Sequence, residues 1–136
     1  MTVNRATDTG VTNGTTHPLD PIFRPRATAI IGVSSKQTSM PSFLHALMEQ
    51  GYHERHALYP VNPKMDEVAG LRCYPSLLAC PDPVDHVISQ IPARGVLGLV
   101  DECVKKGVPA LHLCTAGFSE TGSADMADME REIVRR

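Results

Sequence analysis

Ala27-Thr28-Ala29-Ile30-Ile31-Gly32, running into Ser34-Ser35-Lys36-Gln37-Thr38-Ser39, is a short apolar segment that stops at a glycine and opens into a polar loop. A run without polar alternation suits a strand covered on both faces, as in a parallel sheet. The residues after the loop, Pro41 to Gln50, carry Phe43, Leu44, Leu47 and Met48 at helical spacing, with Gly51 just past the end. Strand, glycine, loop and helix together are the opening unit of a β-α-β fold.

The same alternation continues outward. Ala57 to Val61 reads as a second strand, with Pro60 expected at the end of its paired portion because proline lacks an amide donor. Asn62-Pro63-Lys64 turns the chain. Val84 to Ile91 is a third strand, Val96 to Lys106 a helix stopped by Gly107, and Pro109 to Cys114 a fourth strand. Thr115 to Glu120 is a loop, and Ala124 to Arg136 a helix with Met126, Met129, Ile133 and Val134 as its apolar stripe. Strands alternating with helices imply parallel pairing and right-handed crossovers. The expected fold class is α/β, a Rossmann-like doubly wound parallel sheet with the first strand central, truncated before its last strand. Residues 1–18 are rich in Thr, Asn and Gly and read as a disordered tail. Residues 19–136 form the domain, opening with a single helical turn around Leu19 to Pro25 that packs Ile22 and Phe23 onto it.

Composition narrows the function. The 136 residues include 13 basic and 15 acidic ones, a net charge of −2, and 4% aromatics. A nucleic-acid surface needs a basic stripe or stacking aromatics, and neither is present. Apolar runs fall far short of the ~20 residues that span a bilayer, and the polar start lacks a secretory apolar core, so the expected location is cytoplasmic. Cys73, Cys80, Cys103 and Cys114 are widely spaced and read as buried thiols. No metal site is expected, since His53 and His56 sit in a charged loop.

Ligands of open parallel sheets bind beyond the carboxyl ends of the strands. Four segments converge there: Gly32 to Ser39, Asn62 to Lys64, Ile91 to Arg94, and Thr115 to Glu120. The first offers a glycine turn and helix amides to a phosphate, though Ser34 and Gln37 replace the glycines of a dinucleotide fingerprint and no P-loop lysine follows. At the end of strand two an NAD domain would place an acid on the ribose. This chain has Lys64 instead, a point charge suited to a ligand with an extra phosphate. Glu120 is the acid nearest a strand end, to be read as a cap or as a functional group.

The combination resembles the N-terminal CoA-binding domain of the NDP-forming acyl-CoA synthetases, the succinyl-CoA synthetase superfamily. The matching residues are Phe23-Arg24-Pro25-Arg26, Ile30-Ile31-Gly32-Val33-Ser34, Tyr59-Pro60-Val61-Asn62-Pro63-Lys64, Gly70-Leu71-Arg72-Cys73-Tyr74-Pro75-Ser76, Pro83-Val84-Asp85, Ile91-Pro92-Ala93 and Ala116-Gly117-Phe118-Ser119-Glu120. The resemblance implies that Gly32, Val33, Ser34, Ser35, Lys36 and Gln37 cradle CoA phosphates. It implies that Asn62, Pro63 and Lys64 meet the phosphorylated end, and that Ile91, Pro92, Ala93, Cys114, Thr115, Ala116 and Gly117 flank the pantetheine and thiol. The chain departs from the family in the serine-rich loop after Gly32 and in the polar His86, Ser89 and Gln90 of the third strand.

The resemblance further implies a segment of an acid–CoA ligase. In that family ATP phosphorylates a histidine, an acyl phosphate forms, and the CoA thiol takes the acyl group. The phosphohistidine, ATP and Mg would belong to succeeding ligase and ATP-grasp domains or subunits, and so would the carboxylic acid pocket. No residue here is expected to be catalytic, and the segment alone is expected to be inactive. The alternatives are a stand-alone, non-catalytic CoA-binding module and half of an NAD(P)-dependent dehydrogenase.

Overall fold

The computed structural model describes residues 17–34 and 42–136. Residues 1–16 of the tail expected over 1–18, and the phosphate-loop residues Ser35, Lys36 and Gln37, lie outside the described residues, whereas His17 and Pro18 belong to the turn that leads into the first helix.

The elements follow in the order α1 (Asp20–Phe23), β1 (Ala27–Ile31), α2 (Phe43–Glu49), β2 (Ala57–Val61), β3 (Glu67–Val68), β4 (Leu71–Arg72), β5 (His86–Ser89), α3 (Val96–Lys106), β6 (Ala110–Leu113) and α4 (Ala124–Arg135). Four strands form a parallel sheet in the order β2-β1-β5-β6, so the first strand is interior as expected. All five residues of β1 are buried, which is why it shows no polar alternation. On one face, Ile30, Val33 and Leu58 pack against Leu44 of α2. On the other, Ala29, Ile31, Val61 and Val87 pack against Leu99 and Cys103 of α3. Val96, Val100 and Phe118 extend that second layer to Met129 and Ile133 of α4. Helices on both faces make the sheet doubly wound. Leu44 and Leu77 are each 1% exposed, and each such burial stabilises by roughly 1.5–3 kcal/mol.

The N-terminal edge of the sheet is stapled by Asp85. Its carboxylate accepts from the Arg26 backbone N–H, Nε and Nη2 at 2.8, 2.8 and 2.7 Å. The hydrogen-bonded Arg26 side chain holds the Asp85 pKa below the ordinary carboxylate value.

Several expectations need correction. Pro60 pairs inside the ladder, opposite Ile30, rather than at its end. Its missing donor does no harm there, because its carbonyl faces the outer edge and accepts from Tyr74 N at 2.9 Å. The short β3-β4 hairpin has strands of two residues each, too few for an alternating pattern to register. The helical turn α1 forms, with His17 N donating to Asp20 at 2.8 Å, but Ile22 and Phe23 are 44% and 75% exposed. A four-residue turn has no second turn to bring both groups onto one buried face. Val104 and Val134 also face outward, since α3 buries only a narrow stripe and α4 only half-buries its apolar side. Three cysteines are buried, whereas Cys114 is exposed because it sits one residue past β6.

Candidate functional site at the carboxyl edge of the sheet

A cleft of about 290 Å³ opens where β1, β2 and β5 end. Gly32, Asn62, Pro63 and Ile91 line it, joined by Ile31 and Val61 from the strand ends. The far wall comes from Pro75, Ser76 and Leu77, from Gly95 at the cap of α3, and from Gly98, Leu99 and Glu102 along it.

The strand-end loops are braced against each other. Gly32 takes φ +86°, and a Cβ there would stand 2.9 Å from Ile91 Cγ2 and 3.3 Å from the Gln90 carbonyl carbon. Glycine is therefore required by the approach of the β5 end as well as by the backbone turn. Asn62 Nδ2 donates to the Val33 carbonyl at 2.7 Å, while Asn62 Oδ1 accepts from Lys64 N at 2.8 Å. Thr115 Oγ1 donates to the Ile91 carbonyl at 2.8 Å, and Cys114 N to the Ser89 carbonyl at 2.9 Å.

The residues singled out from sequence thus divide into groups. Gly32, Asn62, Pro63 and Ile91 meet in the cleft. Lys64 follows Pro63 and is exposed but does not line the cleft, and no hydrogen bond or ion pair engages its ammonium among the described residues. Val33 is buried in the core, so it offers the cleft no side chain, and its carbonyl is taken by Asn62. Ser34 is exposed just past it. Pro92 is exposed, and Ala93 begins a 3-10 turn and packs toward the α4 layer. Cys114, Thr115, Ala116 and Gly117 follow β6 and are not among the walls of the cleft.

Glu120 is a cap. Its two carboxylate oxygens accept from Gly117 N at 2.5 Å and Phe118 N at 2.9 Å, and Glu130 of α4 accepts from Ser119 N at 3.0 Å. The amide of Gly117, then those of Glu120 and Phe118, hold the Glu120 pKa below the usual carboxylate range. Although the residue is largely exposed, partial desolvation of its sulfur raises the Cys114 thiol pKa, opposite to the direction that activates a nucleophile.

Sequence reasoning missed Ser76, Leu77, Gly98 and Glu102. A signal for the α3 wall was present: Gly95, Gly98, Leu99 and Glu102 recur at i, i+3, i+4 and i+7, one face of a helix.

The CoA binding domain family model matches residues 26–134. An ADP-forming acetate–CoA ligase of Methanocaldococcus jannaschii is 35% identical over 123 residues, covering 90% of this chain and 17% of that protein. The alpha subunit of an ADP-forming acetate–CoA ligase II of Pyrococcus furiosus is 36% identical over 118 residues, covering 85% of this chain and 25% of that one. Among solved structures, an acetyl-coenzyme A synthetase of Ca. Korarchaeum cryptofilum, in complex with phosphate and ADP, superimposes with TM-score 0.70 at 36% identity. It covers 86% of this chain, which spans 24% of that one. The chain therefore spans a sixth to a quarter of the relatives it matches. With the family model extending from β1 into α4, and the cleft built from the strand ends inside that span, this chain belongs to the CoA binding domain family.

Proposed function

We propose that this chain holds coenzyme A for an ADP-forming acid–CoA ligase, presenting the thiol for acyl transfer from an acyl phosphate. The observation that carries the reading is the cleft, where Gly32, Asn62, Pro63 and Ile91 meet, with the exposed Lys64 following Pro63 and unpaired among the described residues. In this reading Lys64 holds the 3′-phosphate, a group that CoA has and NAD lacks. The Gly32 turn brings backbone toward the diphosphate, and the loops after β5 and β6 border the pantetheine. The β2 end carries no acid to bind a free ribose hydroxyl, which disfavours NAD.

The acid, ATP and Mg fall to ligase and ATP-grasp domains or subunits that act with this one in the cytoplasm. The phosphorylated histidine lies there too. The thiol sulfur attacks the acyl carbonyl, the acyl–oxygen bond breaks, and phosphate leaves. Titration calorimetry with CoA, 3′-dephospho-CoA and NADH tests the binding step. CoA is expected to bind most tightly, and NADH binding in preference to CoA refutes the reading.

A second reading, a stand-alone CoA-binding module, is favoured by one observation. A Pyrococcus horikoshii protein of the same fold (TM-score 0.54, 24% identity) has 98% of its chain covered by this one. Acyl-CoA formation after the ligase domains are supplied separates the two.

A further inference from the structure

We infer that His86 and His112 form a two-histidine site for a late first-row divalent cation, on the α2 side of the sheet and away from the cleft. The inference does not rest on the CoA reading. His86 lies in β5 and His112 in β6, adjacent parallel strands whose register sets Ala110 beside His86 and Ile88 beside His112. Val87 packs toward α3, and Leu111 and Leu113 toward α3 and α4, so side-chain alternation turns both histidines to the opposite face. There the Phe43 ring of α2 meets the His112 ring edge-on, with centroids 6.0 Å apart. His86 is one of the third-strand residues at which the chain departs from the family it resembles, so the pair is a feature of this chain.

The two imidazoles are nearly parallel, 14° apart in plane, with centroids 6.2 Å apart. No hydrogen bond engages either ring among the described residues. The polar groups nearby are committed elsewhere. Thr28, beside His86 on β1, shares its hydroxyl with Tyr52 Oη at 2.8 Å, and Asp85 is taken by Arg26. With metal–nitrogen bonds of about 2.0–2.1 Å, two imidazoles on one ion hold their centroids roughly 4.5–6.5 Å apart. The observed pair falls inside that range, and the soft χ2 of histidine lets each ring aim a nitrogen into the gap. A cavity of about 310 Å³ borders both rings, its other walls being Ile22, Ala110, Leu111 and Leu113. No third His, Cys, Asp or Glu completes a ligand set among the described residues, so water takes the remaining positions, for which the cavity has room. Two neutral nitrogen donors without a carboxylate suit Zn²⁺, Ni²⁺ or Cu²⁺ and not Mg²⁺, which demands oxygen ligands.

Titration calorimetry of the full chain with Zn²⁺, in chelator-free buffer, is paired with NMR of the histidine ring protons. One Zn²⁺ per chain is expected, moving the His86 and His112 resonances together, with excess Mg²⁺ failing to compete. His86→Gln and His112→Gln are each expected to weaken Zn²⁺ at least tenfold, because either change leaves a single imidazole, whereas His56→Gln is expected to leave the affinity unchanged. Circular dichroism verifies that the variants fold, and the wild-type NMR titration decides the matter for any that does not. Resonances of His86 and His112 that stay in place at saturating Zn²⁺ overturn the inference, as does wild-type affinity in either folded His→Gln variant. Displacement of Zn²⁺ by Mg²⁺ also overturns it, because the ion then sits on oxygen ligands.

Discussion

Asn62 Nδ2 lies 2.7 Å from the Val33 carbonyl, so one amide side chain ties the loop after β2 to the loop after β1. Its other end, Oδ1, holds the Lys64 backbone N–H at 2.8 Å. Asn62 thereby braces the two strand-end loops and closes the turn that carries Lys64.

Replacing Asn62 with Asp puts an acceptor against the Val33 carbonyl and loses that bond. We expect a destabilisation of about 1–2 kcal/mol and a weaker CoA complex. Urea denaturation and calorimetry read the two effects. Unchanged affinity in a correctly folded variant would remove the brace from the site.

Lys64→Ala should behave differently. The side chain is exposed, so stability should change by less than about 0.5 kcal/mol. CoA affinity should fall about 10–150-fold, the range of a lost charge-assisted contact, while 3′-dephospho-CoA should be nearly indifferent. An equal loss for both ligands would show that Lys64 does not meet the 3′-phosphate.

Gly32→Ala tests the close approach of the strand ends. The substituted residue would be strained at φ +86° and would press on Ile91 Cγ2. The expected cost is about 2–4 kcal/mol, with part recovered when Ile91→Ala is added. Without that recovery, the contact is not the source of the cost.

Acid should loosen the fold in two separate windows. His86 is half-buried and stacked on His112 with ring centroids 6.2 Å apart. Burial, then the neighbouring imidazole, holds its pKa below the ordinary 6.5. The unfolded chain therefore takes up this proton first, so the contribution is intact above 6.5 and is lost as pH falls from there through the lower value of the folded chain. Asp85, with its pKa lowered from 3.8, adds a second loss below that value. Urea midpoints measured between about pH 7.5 and 5.5 should slope in the wild type and flatten in His86→Leu. An equal slope in both would exclude His86 as the source.

Thiol labelling of the native chain should modify Cys114 first. Cys73, Cys80 and Cys103 are buried, and burial pushes the Cys80 and Cys103 thiols up to about 11. Mass spectrometry should find a single fast adduct, at Cys114. Fast labelling of Cys80 would contradict the packing of its cluster.

The apolar run of β1 and the helical spacing of α3 were legible because each is a local periodicity. Ala57 to Val61 and Val96 to Lys106 were bounded in sequence where the structure bounds them. The site was legible only at its loops. Gly32, Asn62 and Ile91 follow strands and so announce themselves, whereas Glu102 lies mid-helix and reads in sequence as one more solvated acid. Glu120 illustrates the reverse: a carboxylate at a strand end turned out to close its own loop.

By itself the sequence determined the order of strands and helices, because period and punctuation are properties of neighbouring residues. It also determined the motif set that assigns the family. Tertiary structure alone decided which residues face one another across the cleft. Ser76 and Glu102 are separated along the chain and meet only because α3 packs over the ends of β1 and β2. Contacts of that kind depend on helix-to-sheet packing, which no local pattern encodes.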